Sequence, residues 1–293
     1  MHILAALAAA FAVSPSPPLV ALHDHPGFPP PLRGAVVFSR QLRSDALALG
    51  VVSGRAHVVV QSSVIGGQGK GVSGLDVFFT VQGRTRRGSA CGAGCYWTTL
   101  ATHGRPSSVE LQIRGGPVPT RWRVVLPATW PAPDATDLVR RAGSAWRSLH
   151  SLSFSESLAS SPRLATRSTW QIQAPDRVAY QVRGGWAGVI IGEQRWDRTP
   201  GGKRWVASAQ TRLTQPVPGW GRVTDAHLLG SVMSQGRPAW RISFFDPVTP
   251  AWFEIVVDKR TLYTLDTRMI TTAHFMHDVY GAFNATPAIV PPR

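Results

Sequence analysis

Two cysteines lie close together, and their spacing offers the clearest chemistry in the sequence. Cys91 and Cys95 are the only cysteines in the chain, and Gly92 and Gly94 between them allow the tight turn of a small ring. Outside the cytoplasm such a pair is typical of a structural disulfide. Two thiolates would instead form a soft ligand pair for Cu(I), and redox exchange is a third interpretation.

A second group that could bind copper lies near the C-terminus. His274, Met276 and His277 supply imidazole and thioether ligands, which suit copper. On a β-strand His274 and Met276 would share one face and His277 would lie on the other, so a common ion would need a β-bulge. The alternative is that His274 and Met276 pack within a sheet. Copper is therefore the candidate cofactor, with Cys91 and Cys95 as further ligands.

Tryptophan is the most unusual feature of the composition, with eleven in the chain. Core packing explains most of them, because each tryptophan buries a large area. A subset that faces one side of a curved sheet would suit an apolar ligand or the membrane interface. The candidate ligand-binding residues are Trp186, Trp205, Trp240, Trp252 and Met276.

The sequence contains no motif of the common enzyme classes. A nucleophile elbow, an H-E-x-x-H motif, a P-loop and a dinucleotide fingerprint are all absent. Nothing in the sequence pairs its glutamates Glu110, Glu156, Glu193 and Glu254 for acid–base chemistry. We therefore expect a protein that binds a ligand and is not an enzyme.

The net charge of +15 comes mostly from arginine, a bias that genomic base composition can also produce. A basic surface is attracted to anionic lipid headgroups by long-range electrostatics. Nucleic acid is not expected as a partner, because the arginines are spread along the chain and only Arg84, Arg86 and Arg87 form a tight group. The expected partner is a membrane surface or a membrane protein.

Residues 1–33 read as a targeting segment followed by a tether. An apolar run over 3–13 has the length of a signal-peptide core and is shorter than the ~20 residues that span a bilayer. It is either a secretory signal or the tail of a transmembrane helix that anchors the chain. Both interpretations place the remaining chain outside the cytoplasm, after a Pro-rich tether over 14–33.

The elements that must position these residues are mostly strands. Short alternating segments separated by turn residues predict an immunoglobulin-like β-sandwich over 34–130. Helical spacing over 134–150 then predicts one amphipathic helix, with Asp134 as its N-cap. Alternating segments follow to the end of the chain, with a hairpin at Asp258. The fold class is mainly β: the sandwich, then a half-barrel antiparallel sheet with one helix over 131–293.

Residues 134–291 show a helix followed by meandering strands, including the hairpin segment FEIVVDKRTLYTLDTRM. In this order they resemble the LolA/LppX-like fold of lipoprotein carriers and of mycobacterial-type lipid-binding lipoproteins. The resemblance implies a half-barrel closed by helices over an apolar cavity that holds acyl chains. The chain departs from the carriers because its segment 217–229 contains Gly and Pro and predicts no second lid helix.

The first domain carries the segments GCYWTTL, LQIRGG and WRVVLPATWP. In these it is similar to the extracytoplasmic CopC, YtkA and FixH modules, which stand beside CopD-type copper-transport domains, although the CopC copper ligands have no counterpart here. The leading hypothesis is an extracytoplasmic carrier for a lipid or other apolar ligand at the membrane. The alternative is the copper-binding extracytoplasmic part of a CopD-like copper transport or resistance system, and a purely structural surface protein is a third class.

Overall fold

The computed structural model describes residues 31–41, 45–66, 69–116, 120–161, 164–271 and 274–293. The predicted signal peptide or membrane-helix tail, and most of the predicted tether, lie outside the described residues. The described part is mainly β with one helix, and its paired strands are antiparallel, which confirms the predicted fold class. Among the described residues, no helix combines the length and the apolar character needed to cross a membrane.

Nine of the described strands form a sandwich of two sheets in the first domain. They are β1 (Val36–Gln41), β2 (Asp45–Ser53), β3 (His57–Gly66), β4 (Asp76–Val81), β5 (Arg84–Arg87), β6 (Ser89–Gly92), β7 (Cys95–Ala101), β8 (Ser108–Arg114) and β9 (Thr120–Val125). One sheet has the order β1-β2-β3-β7-β6 and the other the order β5-β4-β8-β9. Alternate side chains such as Leu49, Phe79 and Leu111 meet in one core between the sheets, because successive strand residues point to opposite faces.

The helix α1 (Thr136–Arg147) opens the second domain, as the apolar spacing predicts. It buries Val139, Ala142 and Trp146 on one stripe, which gives it an apolar face to place on the following sheet. The predicted N-cap is wrong by one residue, because the N-cap position belongs to Ala135. The Asp134 carboxylate still accepts the Thr136 N–H at 2.6 Å, and this bond lowers the pKa of Asp134.

The remaining strands form one open antiparallel sheet with the order β15-β14-β13-β12-β11-β10-β20-β19-β18-β17-β16. In the chain they run β10 (Ser151–Ser161), β11 (Leu164–Gln173), β12 (Arg177–Val182), β13 (Ala187–Ile191), β14 (Gln194–Arg198), β15 (Val206–Ala209), β16 (Thr224–Ser234), β17 (Arg237–Asp246), β18 (Ala251–Asp258), β19 (Thr264–Ile270) and β20 (Phe275–Gly281). The predicted hairpin joins β18 to β19, where the Asp258 carboxylate accepts the N–H groups of Arg260 and Thr261.

One face of this sheet, here called the helix face, is covered by α1 and by the segment 210–223. Phe244, Phe253 and Met269 share an apolar cluster with residues of α1. Trp220, from the covering segment, packs edge-on against Phe244 and Phe253 with ring centroids 5.5 and 6.2 Å apart. The segment 210–223 contains no described helix or strand. It overlaps the stretch 217–229, in which the sequence predicts no second lid helix.

The opposite face, here called the open face, is partly covered by the sandwich. Val37 and Ile65 of the sandwich pack in one buried cluster with Trp252, Ile270 and Phe275 of the large sheet. The Val37 N–H also donates to the buried Ser243 hydroxyl at 3.1 Å. The sandwich therefore contacts β16, β17, β18 and β19 and reaches Phe275 of β20.

Candidate functional site

Aromatic side chains pack closely on the helix face around Phe154 of β10. Phe154 stacks on Trp170 with ring centroids 5.8 Å apart, and Trp170 lies 4.8 Å from the Tyr180 ring. Tyr280 contacts Phe154 at 5.2 Å and Trp146 of α1 at 4.7 Å. Rings packed at these separations leave no room between them for an acyl chain.

Two carboxylates are buried side by side under these rings. Glu156 on β10 and Asp278 on β20 are directly opposite each other in the strand register, which places their side chains on the same face. Burial raises the pKa of Glu156, although hydrogen bonds from Ser168 and Trp170 oppose the effect. Burial, together with the neighbouring Glu156, raises the pKa of Asp278 well above its usual value. The pair therefore holds protons at a pH where exposed carboxylates have lost theirs.

A second buried polar group lies at the far end of the same face. The Tyr180 hydroxyl donates to Asp197 at 3.1 Å and accepts from Arg195 at 3.2 Å, while Arg195 also forms an ion pair with Asp197 at 2.7 Å. Burial raises the pKa of Tyr180 to about 12. These groups bond to one another across strands β12 and β14 and stabilise this part of the sheet.

The open face carries an accessible cavity over the strands that the sandwich does not cover. Strand pairing places one row of side chains across six strands, because residues opposite each other in neighbouring strands share a face. From β14 towards β20 the row runs Arg198, Ala187, Gln181, Thr169, Ser155 and Val279, and Trp205, which precedes β15, lies beside Arg198. Trp205, Ala187 and Val279 are apolar, and the other four side chains are polar or charged. The intervening row of Tyr280, Phe154, Trp170 and Tyr180 contributes to the same lining, and a trough of about 650 Å³ lies over these residues. We call it the open-face trough.

Two structures border the open-face trough. At one side Trp205 precedes β15, and the Arg198 guanidinium lies 4.8 Å from the centre of its ring. At the other side Gln235, in the turn between β16 and β17, donates its amide to the carbonyls of Leu265 and Tyr280 at 3.1 and 3.0 Å. The trough therefore has an aromatic wall and a polar wall, and its volume lies within the ~300–1,000 Å³ of small-molecule sites.

A second cavity of about 720 Å³ lies between the two domains and is lined by both. We call it the interdomain cleft. Arg40 of β1 lies on the sandwich side, and Arg167, His277 and Arg268 lie on the sheet side. The apolar floor includes Phe275, which also belongs to the interface cluster.

The structure places the five predicted ligand residues at separate sites. Only Trp205 lines the open-face trough. Trp186 and Trp240 pack against clusters on the helix face, and Trp252 is buried in the interface between the domains. Met276 packs against the helix-face cluster and borders the interdomain cleft. The predicted ligand set is therefore not one site.

The predicted copper ligands are also dispersed. Cys91 and Cys95 form a disulfide, so they provide no thiolate pair. His277 bonds Asp266 through Nε2 at 2.7 Å on the open face, whereas Met276 lies on the opposite face. His274 precedes β20, and burial lowers its pKa. In the part of the chain that the structure describes, no three His, Cys, Asp or Glu side chains are grouped to hold a metal ion.

Sequence reasoning missed the arginines of the interdomain cleft and the pairing of Glu156 with Asp278. Arg167 and Arg268 come from strands that are distant in the chain, and nothing in their spacing connects them. The available signal was strand parity. Period two places Ser155 and Ser157 of β10 on one face and Phe154, Glu156 and Leu158 on the other, and it separates His277 of β20 from Met276 and Asp278 in the same way.

No protein-family model matches the chain, and neither does the sequence of any curated protein. Among solved structures, the lipoprotein LppX of Mycobacterium tuberculosis matches with a TM-score of 0.42 and 10% identity, covering 53% of this chain and 97% of that one. A DUF1329 family protein from Desulfovibrio piger ATCC 29098 matches with a TM-score of 0.28 and 10% identity, covering 52% of this chain and 93% of that one. At 10% identity these matches do not indicate a function for this chain, so its function is inferred from its own surfaces. The resemblance of the sandwich to the CopC, YtkA and FixH modules stays a prediction.

Proposed function

We propose that this protein is a non-enzymatic carrier that works outside the cytoplasm and binds an apolar chain in the open-face trough. The observation that carries the proposal is the trough itself, an open cavity of about 650 Å³ with Trp205 as one wall. On the helix face the rings of Phe154, Trp170 and Tyr280 pack against one another and leave no room between them for an alkyl chain.

The disulfide between Cys91 and Cys95 supports the proposed location. Disulfides persist in oxidising compartments and are rare in the cytoplasm of mesophiles. The net charge of +15 supports work at a membrane, since a basic protein concentrates near anionic lipid. The copper alternative has no comparable support among the described residues, because its thiol ligands are joined to each other.

The direct test is calorimetric titration of the purified, lipid-extracted protein with dodecanol, an uncharged apolar chain. An alkyl chain that covers ~60 Å² of the Trp205 ring contributes about 1.5 kcal/mol at ~25 cal/mol per Å². Trp205→Ala should therefore weaken binding about tenfold. The variant should keep its fold, because Trp205 is only partly buried and precedes the edge strand β15.

Trp97→Ala is the matched control, because Trp97 is a tryptophan of the sandwich with 42% of its surface exposed. It should bind dodecanol with the affinity of the unmodified protein. Equal weakening by both substitutions, or no dodecanol binding by the unmodified protein, would contradict the proposed function. Native mass spectrometry of the protein before extraction should show a bound apolar molecule that extraction removes.

A further inference from the structure

The interdomain cleft contains a second row of side chains across four strands of the open face. Strand pairing orders them Arg167 on β11, Ser157 on β10, His277 on β20 and Arg268 on β19. Neighbouring strands lie ~4.8 Å apart, so the two arginine Cα atoms are about 14 Å apart with a serine and a histidine between them. Both guanidinium groups can therefore reach a ligand that sits over Ser157 and His277.

The charge of this row is positive and little compensated. Arg40 of the sandwich also lines the cleft, and no carboxylate lines its described part. Arg268 has Asp266 only at 3.9 Å, and the Asp266 carboxylate is engaged by His277 at 2.7 Å. Glu254 lies next to Arg268 across the strands, but both of its oxygens accept from Arg241 at 2.9 Å.

A buried hydroxyl adds a donor to the same cleft. Ser39 lies on β1 and lines the cleft, although only 5% of its surface is exposed. Its Oγ has no hydrogen-bond partner among the described residues. A buried hydroxyl without a partner is unfavourable, so an oxygen-bearing ligand in the cleft would supply the missing bond.

The cleft and the open-face trough are consecutive along the same strands. On β10 the trough reaches Ser155 and the cleft begins at Ser157, and on β11 Thr169 and Arg167 are related in the same way. Residues two apart on a strand point to the same face and lie about 7 Å apart. One ligand can therefore extend from the trough into the cleft.

We propose that the ligand is a phosphate-bearing amphiphile, with its alkyl chain in the open-face trough and its phosphate on the arginines of the interdomain cleft. This inference rests on the proposed function, since it assumes that the trough binds the alkyl chain. Phosphate fits better than carboxylate, because its oxygens accept from several guanidinium groups at once and the arginine fork matches them in pairs.

The experiment compares dodecyl phosphate with dodecanol, two probes that share an alkyl chain and differ in the headgroup. The intact protein should bind dodecyl phosphate at least about tenfold more tightly, because phosphate bonds to arginine are charge-assisted. The double variant Arg167→Gln, Arg268→Gln should bring the ratio of the two dissociation constants towards one. The control Arg105→Gln, Arg141→Gln removes the same charge from exposed positions outside the cleft and should keep the ratio.

Three outcomes would overturn the inference in ways that can be told apart. If dodecanol binds and the phosphate adds nothing, the headgroup site is wrong and the proposed function survives. If inorganic phosphate binds as tightly as dodecyl phosphate, the cleft binds free phosphate and no amphiphile. If neither alkyl probe binds, the proposed function fails as well.

A second measurement uses only the unmodified protein, so its result does not depend on whether the variants fold. The preference for dodecyl phosphate should shrink as salt rises from about 0.05 M to about 0.5 M, because salt screens the arginines. Dodecanol binding supplies the uncharged reference in the same titrations. A preference that does not change with salt would contradict a site built from Arg167, Arg268 and Arg40.

Discussion

The buried carboxylate Asp278 should make this protein less stable as the pH rises. In the unfolded chain an aspartate releases its proton near the ordinary value of 3.8, whereas burial beside Glu156 raises the pKa of Asp278 well above it in the folded protein. The folded state therefore binds one more proton between those two values. A carboxyl group whose pKa is higher in the folded than in the unfolded protein contributes its full stabilisation below pH 3.8. This contribution to the free energy of unfolding is lost as the pH rises to the folded pKa.

The substitution Asp278→Asn tests this reasoning, because an amide mimics the protonated carboxyl and does not titrate. One retained proton corresponds to about 1.4 kcal/mol per pH unit. The free energy of unfolding of the variant, minus that of the unmodified protein, should grow at up to this slope above pH 3.8 and level off at the folded pKa. The asparagine oxygen can still accept the Tyr280 hydroxyl, which bonds Asp278 at 2.7 Å.

The assay is guanidinium chloride unfolding followed by circular dichroism at fixed ionic strength over a pH series. Taking the difference between the two proteins removes shared contributions, including that of Asp258, whose lowered pKa has the opposite sign. Asp137→Asn is the matched control, because the Asp137 side chain is 70% exposed in the first turn of α1. Parallel stability curves for Asp278→Asn and the unmodified protein would refute the buried-pair reasoning.

Three further substitutions should lower the free energy of unfolding, measured in the same way. Asp246→Ala should lower the free energy of unfolding by about 3 kcal/mol or more. The reason is that this fully buried carboxylate accepts three backbone N–H groups and a threonine hydroxyl. A loss below ~1 kcal/mol would contradict that role. Replacing Cys91 and Cys95 together by Ser should cost about 2 kcal/mol, the loop-entropy value for so short a ring, and reducing the unmodified protein should have the same effect. Gly188→Ala should cost ~1–3 kcal/mol by overpacking, since its new Cβ would meet a tyrosine ring at 2.2 Å. The control Gly219→Ala, with open space around its Cβ, should be close to neutral.

Features that depend on neighbouring residues in the chain could be predicted from the amino-acid sequence. Alternation with period two and a single helical stretch specify a mainly β protein with one helix, because burial of one strand face or one helix stripe is a local pattern. The turn at Asp258 and the pairing of Cys91 with Cys95 are local in the same sense. These predictions needed no knowledge of which strands meet.

Which side chains share a surface depends on the long-range pairing of strands. The pairing of β10 with β20 joins strands from opposite ends of the second domain, and it alone brings Glu156 beside Asp278 and Ser157 beside His277. Trp205 lines the open-face trough, whereas Trp240 packs on the helix face. A shift of one residue would exchange the faces of a whole strand, and no local property of the sequence specifies that register. The arginines of the interdomain cleft are a product of this long-range pairing.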